Sequence, residues 1–276
     1  MKKSQLGINS VSTRQENIEE ALVAYAGAGF TNVEFVIPHL KQYMAGGHTI
    51  ADVKRTLGSH GLHCIGGFEC QLEAFSAPEQ RAKNHALIVE NARLLAELGA
   101  RAMVVGTDGP ADASVADPIG ILAAEFAAVA EAAKDTGVAL CIEFNWSPII
   151  KSVRGAFELA RRSGAPNVGI LFDPAHYHCT SSKFEHLTAE TVPYIKHVHV
   201  DDMRNIPGEL SNCNSDRALP GQGCLDLKAL FGKLEEFGYD GYFSIEMFSD
   251  DLWAKPAAES AKLMYDSMLP LCEDGA

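Results

Sequence analysis

The stretch Val168-Gly169-Ile170-Leu171-Phe172-Asp173 is an apolar run of strand length that closes on a carboxylate, and the pattern recurs nearby. Val138-Ala139-Leu140-Cys141-Ile142-Glu143 ends the same way, as does Tyr242-Phe243-Ser244-Ile245-Glu246. Ile195-Lys196-His197-Val198-His199-Val200 puts two histidines on one face by the two-residue strand period, with Asp201 and Asp202 following. Nearly continuous apolar runs mark strands buried on both faces, as in a parallel sheet covered by helices. Further runs at 6–9, 32–36, 62–67 and 102–106 bring the strands to eight. Helical periodicity follows each, at 16–27, 49–60, 78–98, 118–136, 152–163, 183–191, 227–237 and 256–270. Pro78 and Pro118 fall in first turns, where the missing N–H is harmless. Small glycine phrases around Gly29, Gly61, Gly99, Gly137 and Gly238 recur where helices give way to strands.

This alternation predicts an α/β fold, a single (β/α)8 barrel domain spanning 1–276. A doubly wound sheet would alternate similarly. However, neither GxGxxG nor GxxxxGK[ST] follows the first strand, and the notable polar residues stand at the ends of many strands, which only a barrel gathers at one mouth. The long irregular segment 202–226 exceeds ordinary loop lengths and predicts an active-site flap.

The charge of −13 opposes attraction to nucleic acid or to anionic membranes and suits a small neutral substrate or a metal cation. Hydrophobic residues at 47% supply ample core. Seven cysteines without a CxxC pair read as reduced. With no apolar leader after Met1, the expected location is the cytoplasm. Oligomeric state is open, a homo-oligomer being compatible.

One acid at a strand end is ordinarily a solvated residue or a helix cap. Four consecutive strands carrying such groups point elsewhere. Three carboxylates crowded at a barrel mouth repel one another unless a cation neutralises them, so Glu143, Asp173, His199 and Glu246 form a candidate site for one divalent metal. Mixed oxygen and nitrogen ligation suits Mn²⁺, with Mg²⁺, Co²⁺ and Zn²⁺ compatible by ligand type. His197, at another depth on the same face, reads as a core or supporting histidine. His176 and His178 follow the sixth strand and should face the mouth, His176 as a substrate contact or proton carrier. Glu34 and Glu69 are rim candidates whose ordinary reading is surface carboxylates.

At these residues the chain resembles the sugar isomerase/epimerase superfamily of xylose isomerase-like TIM barrels, and within it the inosose (2-keto-myo-inositol) isomerases. The resemblance spans nearly the whole chain. It is most specific in Ile142-Glu143-Phe144, in 168–173 with His176-Tyr177-His178, in 199–202 through Asp216-Arg217-Ala218-Leu219-Pro220-Gly221-Gln222-Gly223, and in Ile245-Glu246-Met247-Phe248. It implies metal ligation by Glu143, Asp173, His199 and Glu246. It also implies a substrate-contacting arginine, for which Arg217 fits better than Arg204. The look-alikes carry serine where this chain has Pro174, and Asn145-Trp146 is a second departure.

The implied chemistry is proton transfer at a carbon next to a ketone, through a metal-stabilised enediolate with Glu143 and Glu246 as acid and base. Trp146 and Phe248 could wall a sugar ring. The expected activity is a keto-sugar or keto-inositol isomerase or epimerase of carbohydrate (inositol) metabolism. The alternative is a lyase that uses the same enolate for β-elimination: dehydration of a keto-inositol or dehydroshikimate, or cleavage of a 3-keto-glycoside. A hydrolytic reading, after the apurinic endonucleases of the superfamily, would need more histidines and a basic DNA face. A non-catalytic sugar-binding protein is the remaining class.

Overall fold

The computed structural model describes residues 1–14, 17–112 and 114–273, with the Glu69 side chain outside the described set. Eight parallel strands close into a barrel in the order β1-β10-β7-β6-β5-β4-β3-β2. They are β1 Leu6–Asn9, β2 Asn32–Val36, β3 His63–Leu72, β4 Ala102–Thr107, β5 Ala139–Glu143, β6 Val168–Phe172, β7 Ile195–Val200 and β10 Phe243–Ile245. The strands β8 Asp202–Met203 and β9 Arg217–Ala218 form a small antiparallel pair in the segment predicted as a flap.

Helices follow the barrel strands: α1 Ile18–Ala28, α3 Ile50–Ser59, α4 Pro78–Glu97, α5 Pro118–Ala132, α6 Val153–Ser163, α8 Leu227–Glu236 and α10 Ala257–Met268. The start of the helix expected at 16–27 lies outside the described residues. Three helices were not expected. In α2 Ile37–Ala45, Pro38 occupies the first turn, so helix succeeds strand without a loop. The short α7 Pro174–His178 sits directly after β6, and the short α9 Asp250–Trp253 follows β10 after residues 246–249.

The helix expected at 183–191 does not form; only 3₁₀ turns at Phe184–His186 and Val192–Tyr194 are present. The Thr188 hydroxyl accepts the N–H groups of Glu190 and Thr191 at 3.3 and 3.2 Å, a local alternative to helical bonding. Residues 134–136, expected as the end of the helix at 118–136, are likewise a separate 3₁₀ turn.

Strand periodicity sorts the barrel into two layers. Leu6, Ile8, Val33, Phe35, Leu140, Ile142, Ile170, Val198, Phe243 and Ile245 point outward into the main core shared with the helices. Their alternates face the lumen. There Val36, Ala102, Val104, Cys141 and Leu171 form a separate small apolar cluster. By the same alternation Glu34, Glu143, His197, His199 and Ser244 take lumen positions.

One buried carboxylate shapes the flap. Asp202 is fully buried and accepts four backbone N–H groups: Met203 at 2.8 Å and Gly221, Gly223 and Leu225 at 3.0 Å each. A Cβ at Gly223 would collide with the Asp202 carboxylate, so this loop position requires glycine. Replacing Asp202 with Ala orphans one buried donor and three part-buried ones. Urea unfolding of Asp202→Ala should show a stability loss of roughly 2–4 kcal/mol, given ≈ 1–3 kcal/mol for an unsatisfied buried group. A loss under about 1 kcal/mol would mean that the loop holds its shape without this anchor.

Candidate functional site

The predicted ligand residues converge at the C-terminal end of the lumen. Glu143 ends β5, Asp173 caps α7 just after β6, His199 lies near the end of β7, and Glu246 follows β10. One ligand atom from each of the four lies within 4.8 Å of every other. The His199 Nδ1 atom is 3.3 Å from Glu246 Oε2 and 3.6 Å from Asp173 Oδ2. Asp173 spends its other oxygen on the His176 N–H at 2.9 Å, which fixes the carboxylate by starting α7.

Behind His199 stands Glu34. Its carboxylate is fully buried, 3.1 Å from Nε2 of both His197 and His199. Burial alone would raise its pKa, but the charges and hydrogen bonds of the two histidines outweigh that and hold it well below the usual carboxylate range. An ionised carboxylate can only accept, so His199 donates through Nε2. His199 Nδ1 is then left facing Asp173 and Glu246, and it is buried without a hydrogen-bond partner. Burial lowers the pKa of His199, yet Glu246 and Glu34 together raise it well above the ordinary histidine value. The field that favours a proton on Nδ1 also favours a metal cation there, and binding the cation would displace the proton. The donor set of three carboxylates and one oriented imidazole therefore fits a divalent cation.

Glu143 accepts a 2.9 Å hydrogen bond from His176 Nε2. Burial pushes the Glu143 carboxyl upward; His176 opposes the shift and the charge of Glu246 adds to it. The other imidazole nitrogen lies 3.1 Å from the Asn145 amide nitrogen. Asn145 adopts a left-handed φ of 75°, a conformation that asparagine tolerates better than most residues. On the far side, Glu246 Oε1 accepts from Asn9 at 3.1 Å, and Oε2 accepts from Arg217 Nη1 at 3.0 Å.

Arg217 reaches in from β9. It donates to the Glu246 carbonyl at 2.6 Å, to Asp173 Oδ2 at 3.1 Å and, through Nε, to the Cys213 carbonyl at 2.8 Å; it also pairs with Asp201 at 2.7 Å. Burial drives the Asp201 carboxyl well above its usual range; Asp173 adds to the shift and Arg217 opposes it.

Above this cluster opens a cavity of ≈ 300 Å³ lined by Glu143, His176, Arg217, Glu246, Trp146 and Phe248, among others. All three predicted substrate contacts therefore border one space. Trp146, 39% exposed, lies over Gly106, where a Cβ would come within 2.8 Å of the indole. His178, expected to face the mouth, instead bonds the Ile206 carbonyl at 2.8 Å and ties the flap to α7. Arg204 is exposed and borders a neighbouring cavity. His197 is buried in the lumen beside Glu34, a supporting position as read from sequence. Glu34 is not a surface carboxylate; alternation with the outward Val33 and Phe35 was the signal that placed it inside. Asn9, Asn145 and Asp201 are site neighbours that the sequence reading did not assign to the site: Asn9 ends β1, and Asn145 and Asp201 stand just beyond β5 and β7.

The chain belongs to the xylose isomerase-like TIM barrel family, whose model matches residues 22–267. An inosose isomerase of Bacillus velezensis is 31% identical over 137 residues, 49% of this chain and 48% of that protein. The match thus spans about half the length of that relative. A 3-dehydroshikimate dehydratase of Pseudomonas aeruginosa is 27% identical over 252 residues, covering 88% of this chain and 38% of the relative. A crystal structure of IOLI protein with a bound zinc atom superimposes with a TM-score of 0.87 at 21% identity, covering 99% of both chains. Among the described residues no helix is long and apolar enough to cross a membrane.

If Glu34 orients His199, Glu34→Gln should weaken divalent metal binding about 10- to 100-fold while the protein stays folded, as supporting partners of metal ligands do elsewhere. Calorimetric titration with Mn²⁺ or Zn²⁺ beside circular dichroism measures both. Unchanged affinity in a folded variant would remove Glu34 from the site.

Proposed function

We propose that the protein is a divalent-metal-dependent isomerase or epimerase acting on a keto-sugar or keto-inositol, with Glu143 and Glu246 exchanging the proton beside the carbonyl. The observation that carries this reading is the convergence of three buried carboxylates and an oriented histidine beneath a cavity of ≈ 300 Å³. Glu143, Asp173, His199 and Glu246 would hold the ion. A divalent cation there supplies Lewis acidity toward a substrate carbonyl, which makes the neighbouring C–H acidic.

The protein's own groups do the rest. Glu143 and Glu246 stand on strands separated around the barrel by β6 and β7, so they approach a bound ring from different sides. Burial favours the protonated form of Glu143, which suits a carboxyl that must take and return a proton near neutral pH. His176 holds that carboxyl in place. Asn9 and Arg217 fix Glu246 through both of its oxygens. Arg217 also borders the cavity, where it can meet a substrate hydroxyl, and Trp146 and Phe248 offer apolar walls. Mn²⁺ is our preferred ion, with zinc supported by the metal bound in the IOLI structure. The acidic charge of −13 supports a reaction on a small molecule rather than on nucleic acid.

A second reading has specific support. The 3-dehydroshikimate dehydratase match runs over 88% of this chain, and β-elimination from the same enolate would use the same carboxylates.

With Mn²⁺ loaded, the protein should exchange the α proton of 2-keto-myo-inositol or a ketohexose with deuterium from solvent, read by NMR. Glu246→Gln and Glu143→Gln should each slow exchange by about 10²-fold or more while substrate binding persists. Absence of exchange across these substrates would overturn the proposal, and an enone absorbance appearing with turnover would select the lyase.

A further inference from the structure

A second cavity, of ≈ 490 Å³, adjoins the first and is bordered by Arg204, Ser249, Asp250, Asp251 and Trp253. The two share Asn214, Arg217 and Phe248. Their common sill is built rather than incidental: the Arg217 guanidinium lies 5.0 Å from the centre of the Phe248 ring, and that ring meets Trp253 edge-to-face at 6.1 Å. Trp253 is anchored in turn, its Nε1 donating at 2.8 Å to the carbonyl of Val11, a residue that borders the first cavity.

The lining of the second cavity differs from that of the first. Aromatic surface from Phe248 and Trp253 stands beside short hydroxyl and amide side chains and charges of both signs. Arg204 and Arg217 are matched there by Asp250 and Asp251. A phosphate would meet two carboxylates there, and an ammonium two arginines. A neutral ring rich in hydroxyls meets donors, acceptors and an apolar face together.

Resting on the proton-transfer reading above, we propose that the natural substrate is a two-part molecule. A keto ring occupies the first cavity, and a second uncharged polyhydroxylated unit, joined through a glycosidic or ether oxygen, lies across the Arg217–Phe248 sill in the second. Trp253 and Arg204 determine this specificity without touching the reacting carbon.

The test compares 3-keto-glucose with a 3-keto-disaccharide such as 3-keto-cellobiose, using the Mn²⁺-loaded full chain and deuterium exchange. The disaccharide should have roughly tenfold higher kcat/KM. Arg204→Ala and Trp253→Ala should erase that advantage and leave exchange on the single ring unchanged; Arg204 is exposed, so its variant keeps the test valid if Trp253→Ala fails to fold. Equal kcat/KM for both probes, or a parallel fall on both in Arg204→Ala, would overturn the proposal. If neither probe exchanges, calorimetric binding decides. Tighter disaccharide binding that Arg204→Ala abolishes keeps the second cavity and discards the proton-transfer reading; equal or absent binding discards the two-part substrate.

Discussion

The structure around the lumen is organised by the repulsion among buried carboxylates. Glu34, Glu143, Asp173, Asp201 and Glu246 are all buried, and among the described residues Arg217 is the one buried arginine or lysine beside them. Two unit charges 4 Å apart interact by about 4 kcal/mol at an effective dielectric of 20, so such a cluster cannot persist uncompensated. Each acid has a local answer. Glu34 faces two histidines, Glu143 faces His176, Asp173 and Glu246 share Arg217 and His199, and Asp201 is pushed toward its neutral form. What is left over is an electron-rich space between Glu143, Asp173, His199 and Glu246, the place where a divalent cation does most to relieve the repulsion.

This charge balance couples the flap to the barrel. Arg217 comes from β9 rather than from a barrel strand, so the lumen charges are completed only when the flap folds over the mouth. Asp202 fixes the geometry by gathering N–H groups from within and just after the Pro220-Gly221-Gln222-Gly223 turn, which begins three residues beyond Arg217. His178 secures the other limb at Ile206. On the proposed reading, substrate recognition and ion binding would therefore share one guanidinium. A change in the flap is expected to alter both together, because Arg217 borders the cavity while bonding Asp173 and Glu246.

The convergence of Glu143, Asp173, His199 and Glu246 was legible in sequence because a parallel barrel concentrates information at strand ends. An apolar run closing on an acid, repeated on β5, β6 and β10, has little structural reason to recur. The supporting residues were less visible. Glu34 sits in the middle of Asn-Val-Glu-Phe-Val, where alternation alone could place it, but an isolated glutamate in a short strand looks like a solvent-facing one. Asn9 is a lone amide at the end of β1, and Asn145 and Asp201 stand in the turns after β5 and β7, where such residues are commonplace for local reasons. The failed helix at 183–191 marks a different boundary: its apolar spacing fits a helix, and hydroxyl bonding around Thr188 wins over propensity. Arg217 was accessible only through the resemblance of its surrounding phrase, since no periodicity points a loop arginine at a distant aspartate.

The carboxylate and histidine arrangement is suited to loosening a proton beside a carbonyl, but it does not by itself determine the product. Returning the proton to the same or a neighbouring carbon gives isomerisation or epimerisation. Loss of a β substituent gives elimination, and that requires an acid near the leaving oxygen. Selection among these outcomes must therefore come from the walls. Trp146 fixes one side through its contact with Gly106, a strand position with no side chain to push it away. Arg217 and Phe248 fix the other, and His176 stands beside Glu143. On the proposed reading, a ring held between these walls would present its carbons to Glu143 and Glu246 in a fixed order, so the substituent within reach of His176 or Arg217 when the proton leaves would decide the reaction.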